Sequence, residues 1–102
     1  MRDQREQIRV SAGFEGPQIS GQGQTRDISI SGARIEKING RPPIGTPLVL
    51  RLLMFPNQHA LTVGANVVRQ TESGGFAVEF DALDDRTRGL LHLTLASHPT
   101  TQ

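Results

Sequence analysis

Short apolar and β-branched segments alternate along the chain with clusters of Gly, Pro and Asn at fairly regular intervals. This spacing is typical of antiparallel all-β domains. It predicts six strands, at residues 8–15, 25–30, 33–38, 47–55, 59–69 and 76–80. We expect strands of this number and length to close on themselves as a barrel.

The breaks between the predicted strands carry strong turn residues. Gly16-Pro17, followed by Gly21 and Gly23, predicts a loose turn region before the second strand. Asn39-Gly40 is the strongest short turn signal in the chain. Within the fifth strand, Gly64 predicts a bulge.

The last predicted element follows Asp84-Asp85, a pair suited to the N-cap of a helix. The segment 86–97 contains leucines that fit both a helical and an alternating pattern: Leu90, Leu91, Leu93 and Leu95. A helix is the preferred prediction. A strand is the alternative, because Gly89 costs a helix about 1 kcal/mol relative to Ala. Residues 98–102, which include Pro99, are expected to form a frayed tail.

Composition limits the size of the domain and the kind of partner. A chain of 102 residues predicts a single domain, 1–102, with a thin, mainly aliphatic core, since aromatic residues make up only 4% of it. The formal net charge of +1 argues against bulk electrostatic attraction to nucleic acid or to an anionic membrane. The basic residues are ten Arg and the single Lys37, and arginine suits paired contacts with phosphates and purine edges.

Several classes of function find no support in the sequence. The chain has no Cys, its polar N-terminus lacks a signal peptide, and its longest apolar stretch, residues 48–55, is too short to cross a bilayer. A cytoplasmic protein without membrane insertion is therefore expected. The scattered histidines have no ligand spacing and predict no metal site: His59, His92 and His98. No catalytic motif is present, so the protein is not expected to be an enzyme and needs no cofactor.

Two short motifs carry the candidate chemistry. Arg5 and Arg9 form an RxxxR pair just before the body of the first strand. Asp27, Ser29 and Gly32 fit the pattern DxSxxG at the end of the second strand. An arginine pair is common by chance in this composition, whereas DxSxxG is much rarer. The two motifs together are stronger evidence than either alone, because the arginine pair comes before the first strand and DxSxxG closes the second.

With these motifs the chain resembles the PilZ family, and the similarity extends to residues 44–47 and 75–80. The family's fold, a six-stranded antiparallel β-barrel with a C-terminal α-helix, agrees with the elements predicted above from periodicity. The resemblance implies a binding module for the second messenger cyclic di-GMP that signals to an unidentified downstream protein. It implies that Arg5, Arg9, Asp27, Ser29 and Gly32 bind this ligand.

The residue types suit that ligand. A guanidinium donates paired hydrogen bonds to guanine O6 and N7 or to a phosphate, which fits Arg5 and Arg9. Asp27 can accept from guanine N1 and N2, so it is predicted to recognise the base. Ser29, two residues on, is predicted to share its face in the strand. Gly32 is predicted to permit a positive φ or a close approach of the ligand.

Other interpretations remain open. The arginines would also fit solvated charges near a terminus, and Asp27 and Ser29 would also fit a turn cap. The whole chain would also fit a PilZ-like adaptor without nucleotide binding, or a small-barrel nucleic-acid binder, although it has only four Phe for base stacking. Gln4 stands where many members of the family have a basic residue. The number of nucleotides that the site binds, one or an intercalated pair, is therefore left open. The polar arm, residues 1–9, is expected to become ordered when the ligand binds.

Overall fold

A computed structural model describes residues 8–36, 38, 42–54, 59–72 and 74–97. In these ranges the chain forms six strands and one helix. They are β1 (Ser11–Glu15), β2 (Ser20–Ile28), β3 (Gly32–Glu36), β4 (Pro47–Met54), β5 (His59–Gln70), β6 (Phe76–Phe80) and α1 (Asp85–Ser97). The predicted all-β class and the terminal helix are confirmed.

The strands form a closed antiparallel barrel in the order β1-β2-β3-β6-β5-β4. Pairing of β1 with β4, in which Phe14 lies opposite Leu50, closes the barrel. The hairpins β2–β3 and β4–β5 join strands that are consecutive in the chain, whereas β3 pairs with β6 across a long separation in sequence. The start of β3 therefore lies directly beside β6.

Alternate side chains of the strands fill the interior of the barrel. Phe14 and Phe76 meet edge to face, with 5.2 Å between ring centroids. Around them packs an aliphatic cluster whose members include Ile28, Ile35, Leu50, Leu52, Val63 and Val67. This agrees with the aliphatic core expected from the composition, because few aromatic side chains were available to fill it.

The second strand departs from its prediction. It begins at Ser20, so Gly21 and Gly23 lie in register opposite β1 instead of in a loose turn. Its pairing with β3 shifts between Thr25 and Asp27, so Arg26 is an extra residue on that side. The shift reverses the alternation. Thr25 lies opposite Ile35 on the core side, and Asp27 lies opposite Arg34 on the outer side.

The bulge predicted at Gly64 is wrong. Gly64 pairs with Val49 in an unbroken β4–β5 register. A Cβ at Gly64 would meet the side chain of Asp81, so the glycine makes room for that contact. The irregularity in β5 lies instead between Val67 and Arg69, on the side that pairs with β6.

The helix α1 begins as its capping residue predicts, and the strand alternative is wrong. The Asp84 carboxylate accepts a hydrogen bond from the Thr87 backbone N–H at 2.7 Å. That backbone hydrogen bond is the main reason why the pKa of Asp84 lies below its ordinary value. Leu91 is completely buried against the barrel, whereas Leu93 is 62% exposed. Helical geometry separates the two leucines onto different faces.

Candidate functional site

The DxSxxG motif forms the turn from β2 into β3. Ser29 lies just beyond β2, so it does not continue the strand face of Asp27 as predicted. Its backbone N–H donates to the Gly32 carbonyl at 2.8 Å, and its hydroxyl accepts from the Ser31 N–H at 3.2 Å. The Ser29 side chain is fully buried. Its hydroxyl therefore stabilises the turn, as Ser often does in this position.

Gly32 has a packing role. Its φ lies outside the left-handed region, contrary to one of the two reasons predicted for a glycine here. A Cβ at this position would clash with the backbone carbonyl of Val78 in β6. The neighbouring Ser31 carbonyl accepts a hydrogen bond from the Phe80 N–H at 2.7 Å. The turn is therefore held tightly against β6, and only a glycine fits at that contact.

Asp27 is buried on the outer side of β2 and forms an ion pair. Its side chain is 3% exposed and that of Arg34 is 35% exposed. Arg34 Nε donates to Asp27 Oδ2 at 2.7 Å, and Nη2 lies 2.5 Å from the same oxygen. The hydrogen bond to Asp27 is the main reason why the pKa of Arg34 is raised above its ordinary value. Arg34 lies outside both sequence motifs and was not among the predicted site residues.

Arg9 lies on the same flank of the barrel. Its Nη1 is 2.5 Å from Glu36 Oε2, and the two side chains are 54% and 16% exposed. Glu36 and Arg34 are two residues apart in β3, so they share its outer face. Arg9, Glu36, Arg34 and Asp27 therefore form one cluster of alternating charge, which we call the β2–β3 charge cluster.

The backbone before β1 is fixed by a buried threonine. The Thr25 hydroxyl donates to the Ile8 carbonyl at 2.6 Å and accepts from the Val10 N–H at 2.9 Å. Ile8 is 1% exposed and Val10 is 5% exposed. The last two residues of the predicted arm, Ile8 and Arg9, are thus anchored to the barrel. Arg5 and the rest of residues 1–7 lie outside the described residues.

A polar group beside the cluster has an incomplete set of hydrogen bonds. The side-chain Oε1 of Gln24 is buried and accepts no hydrogen bond from the described residues. Gln24 lies opposite Glu36 in the β2–β3 pairing. Buried polar groups are normally satisfied, so a donor from outside the described residues is expected at this oxygen. Neither Gln24 nor Glu36 belongs to a sequence motif. They come to lie beside the site through the pairing of β2 with β3, which the sequence pattern does not reveal.

A second concave surface lies on another part of the barrel wall. It is formed by β1, β4 and the first part of β2 and has a volume of about 630 Å³. The exposed side chains of Val49, Arg51 and Leu53 line it. Among the described residues, none of the predicted site residues borders this groove. Arg9 and Asp27, one residue from each motif, lie in the β2–β3 charge cluster instead.

Other kinds of site have no counterpart in the described part of the chain. Its His, Asp and Glu residues form no group of three that could hold a metal ion. No described helix is long and apolar enough to cross a membrane. The phenylalanines in the described ranges are buried: Phe14, Phe76 and Phe80. They offer no surface on which bases could stack.

Similar folds occur among solved structures. The PilZ domain of CeSA from a cellulose-synthesizing bacterium superposes with a TM-score of 0.70 at 16% identity, over 91% of this chain and 96% of that chain. The Bacillus subtilis inhibitor of motility, MotI/DgrA, also gives a TM-score of 0.70, at 15% identity. That match covers 94% of this chain and 50% of MotI/DgrA, so the chain spans about half of its length. No curated protein matches the chain.

The family comparison covers nearly the whole chain. PilZ domains are regulatory binding modules rather than enzymes, and the family is one of cyclic di-GMP receptors. The family's pattern matches residues 1–96, which contain both motifs and all the described elements except the last residue of α1. The chain therefore belongs to the PilZ domain family.

Proposed function

We propose that this protein is a cyclic di-GMP sensor that transmits ligand binding to a downstream partner protein. The observation that carries the proposal is the β2–β3 charge cluster, in which Arg9 and Asp27, one residue from each motif, lie on the same flank of the barrel. Membership of a cyclic di-GMP receptor family supports the choice of ligand.

The proposed contacts follow from charge and donor geometry. Arg9, together with Arg5, donates to the phosphates or to guanine O6 and N7. Asp27 accepts from guanine N1 and N2. The Ser29 turn and Gly32 hold the backbone beside these groups, and a ligand donor would satisfy the Gln24 oxygen.

Binding requires the cluster to rearrange. Arg9 already donates to Glu36 through Nη1, so a phosphate that binds the same nitrogen displaces that carboxylate. Asp27 is almost completely buried, so a guanine edge reaches it only if the covering groups move. The proposed binding is therefore coupled to a local change at the cluster, in which residues 1–7 gain order around the ligand.

Calorimetric titration tests the proposal. We expect saturable binding of cyclic di-GMP, weaker binding of cyclic di-AMP, and a loss of about tenfold or more in affinity for Arg9→Ala, because a charge-assisted hydrogen bond contributes about 1.5–3 kcal/mol. Arg5→Ala is expected to behave similarly. The matched control is Arg51→Ala, which removes an exposed arginine from β4 and should leave the affinity unchanged. Equal binding of the two dinucleotides, or of none, would contradict the proposal.

A second candidate is a PilZ-type adaptor that acts through protein contacts without nucleotide. The ion pairs Arg9–Glu36 and Arg34–Asp27 favour it, since they neutralise the cluster in the absence of any ligand. The calorimetric titration distinguishes the two candidates, because an adaptor gives no heat of binding with cyclic di-GMP. The Arg9→Ala variant of an adaptor loses only the binding of its protein partner.

A further inference from the structure

Arg34 holds the acidic side chain of the proposed site from the neighbouring strand. Its Nε and Nη2 both contact Asp27 Oδ2, and the two residues are directly opposed in the β2–β3 register. Arg34 belongs to neither motif. Its position opposite Asp27 results from the shift at Arg26, which places Asp27 on the outer side of β2.

We propose that Arg34 is a specificity-determining residue that fixes the Asp27 carboxylate as the acceptor for guanine. This inference rests on the proposed function, cyclic di-GMP binding. Recognition of guanine by Asp27 requires an ionised carboxylate in a fixed orientation, because it has to accept from N1 and from the exocyclic N2 together.

The burial of Asp27 makes this dependence strong. An ionised carboxylate that is 3% exposed needs a cation or several donors to remain charged. Removing the guanidinium takes away a cation that favours the ionised form over the neutral acid. A protonated carboxyl group carries a donor of its own, so it no longer presents two acceptor oxygens to the two guanine N–H groups.

The planar shape of the guanidinium adds orientation to charge. Nε and Nη2 converge on one oxygen, which fixes the position of Oδ2 relative to the rigid β3 backbone. A lysine ammonium supplies the charge without this two-atom contact. Charge and orientation can therefore be separated by substitution.

The test compares cyclic di-GMP with its inosine analogue, cyclic di-IMP, which keeps N1–H, O6 and N7 but lacks the 2-amino group. Calorimetry on the wild-type chain, Arg34→Ala and Arg34→Lys gives a ratio of the two affinities for each protein. We expect the wild type to prefer cyclic di-GMP by about tenfold or more. The ratio should fall towards one in Arg34→Ala and lie between these values in Arg34→Lys.

A purely structural role predicts a different result. Thermal unfolding reports any loss of stability separately, and Arg51→Ala serves as the control for removal of an arginine. If Arg34→Ala and Arg34→Lys bind both nucleotides more weakly but keep the wild-type ratio, the inference is overturned and the proposed function stands. If Arg34→Ala does not fold, the ratio of the two affinities in Arg34→Lys is compared with the wild-type ratio, and an unchanged ratio overturns the inference. Failure of the wild type to bind either nucleotide overturns both.

Discussion

At the scale of single residues, the β2–β3 charge cluster is a set of competing interactions. Glu36 forms an ion pair with the guanidinium of Arg9. The Arg9 side chain is more than half exposed and is proposed to bind the ligand. An exposed ion pair of this kind contributes about 0.2–1 kcal/mol. Glu36 therefore acts as an internal competitor for the same donor that a phosphate would use.

Removal of this competitor should strengthen binding. We expect Glu36→Gln to raise the affinity for cyclic di-GMP by about 1.5–5-fold, because the free energy of the Arg9–Glu36 pair no longer opposes the ligand. Calorimetric titration measures the change. Glu15→Gln, which neutralises an exposed carboxylate on β1, is the matched control and should bind as the wild type does. An unchanged or lower affinity for Glu36→Gln would show that Glu36 does not compete.

The motifs identified Asp27 and Arg9 from sequence, but not the residues paired with them. Arg34 and Glu36 become their neighbours only through the β2–β3 register, and that register contains an extra residue, Arg26. A pattern with a period of two cannot indicate such a shift, because it changes the face of every later residue. The predicted common face of Asp27 and Ser29 was wrong for a different reason: β2 ends at Ile28, so Ser29 already belongs to the turn.

At the scale of elements, the turn between β2 and β3 depends on its contact with β6. Gly32 lies opposite Glu79, and a side chain there would collide with the Val78 carbonyl. Backbone cannot move aside as a flexible side chain can. The glycine of the motif is therefore required by the fold, whether or not a ligand is bound.

This contact leads to a stability prediction. We expect Gly32→Ala to lower the free energy of unfolding by about 1–3 kcal/mol, the usual cost of overpacking. Gly13→Ala is the matched control: Gly13 also lies in a strand, but a Cβ there meets nothing within 4 Å. It should change stability by less than about 0.5 kcal/mol. Urea unfolding with an unchanged m-value measures both. Equal stability of the two variants would contradict the proposed clash.

The elements with clear signals were predicted well. β6 has its predicted bounds, Phe76–Phe80, since apolar residues alternate there between a glycine turn and an acidic loop. The helix α1 begins one residue before its prediction, because Asp84 is a strong cap. The start of β2 was missed, since Gly21 and Gly23 resemble turn residues when their partners in β1 are unknown.

At the scale of the whole molecule, the proposed switch joins residues 1–7 to an already fixed barrel. The hydrogen bonds of Thr25 to Ile8 and Val10 hold the chain where it enters β1. A ligand held by both Arg5 and Arg9 has to fix the backbone between them. The expected ordering is therefore limited to residues before Ile8, a shorter segment than the predicted arm of residues 1–9.

Hydrogen exchange tests this coupling. On saturation with cyclic di-GMP, we expect amides 2–7 to gain protection, because their backbone becomes fixed around the ligand. The Val10 amide already donates to Thr25 and should be protected in both states. Residues 76–80, in β6, serve as the internal control and should change little. Equal exchange of amides 2–7 with and without ligand would exclude the ordering, though not the binding.

The closed barrel also restricts how a downstream protein can dock. Each of the six described strands is hydrogen-bonded to a neighbour on both sides, although some strand ends, such as residues 59–63 of β5, pair with one neighbour alone. A partner therefore finds no full-length edge on which to add a strand of its own, which is a common way to bind a peptide. We expect it to recognise side chains, turns or the helix instead. Single substitutions on the surface should therefore be able to abolish the interaction while leaving the barrel intact.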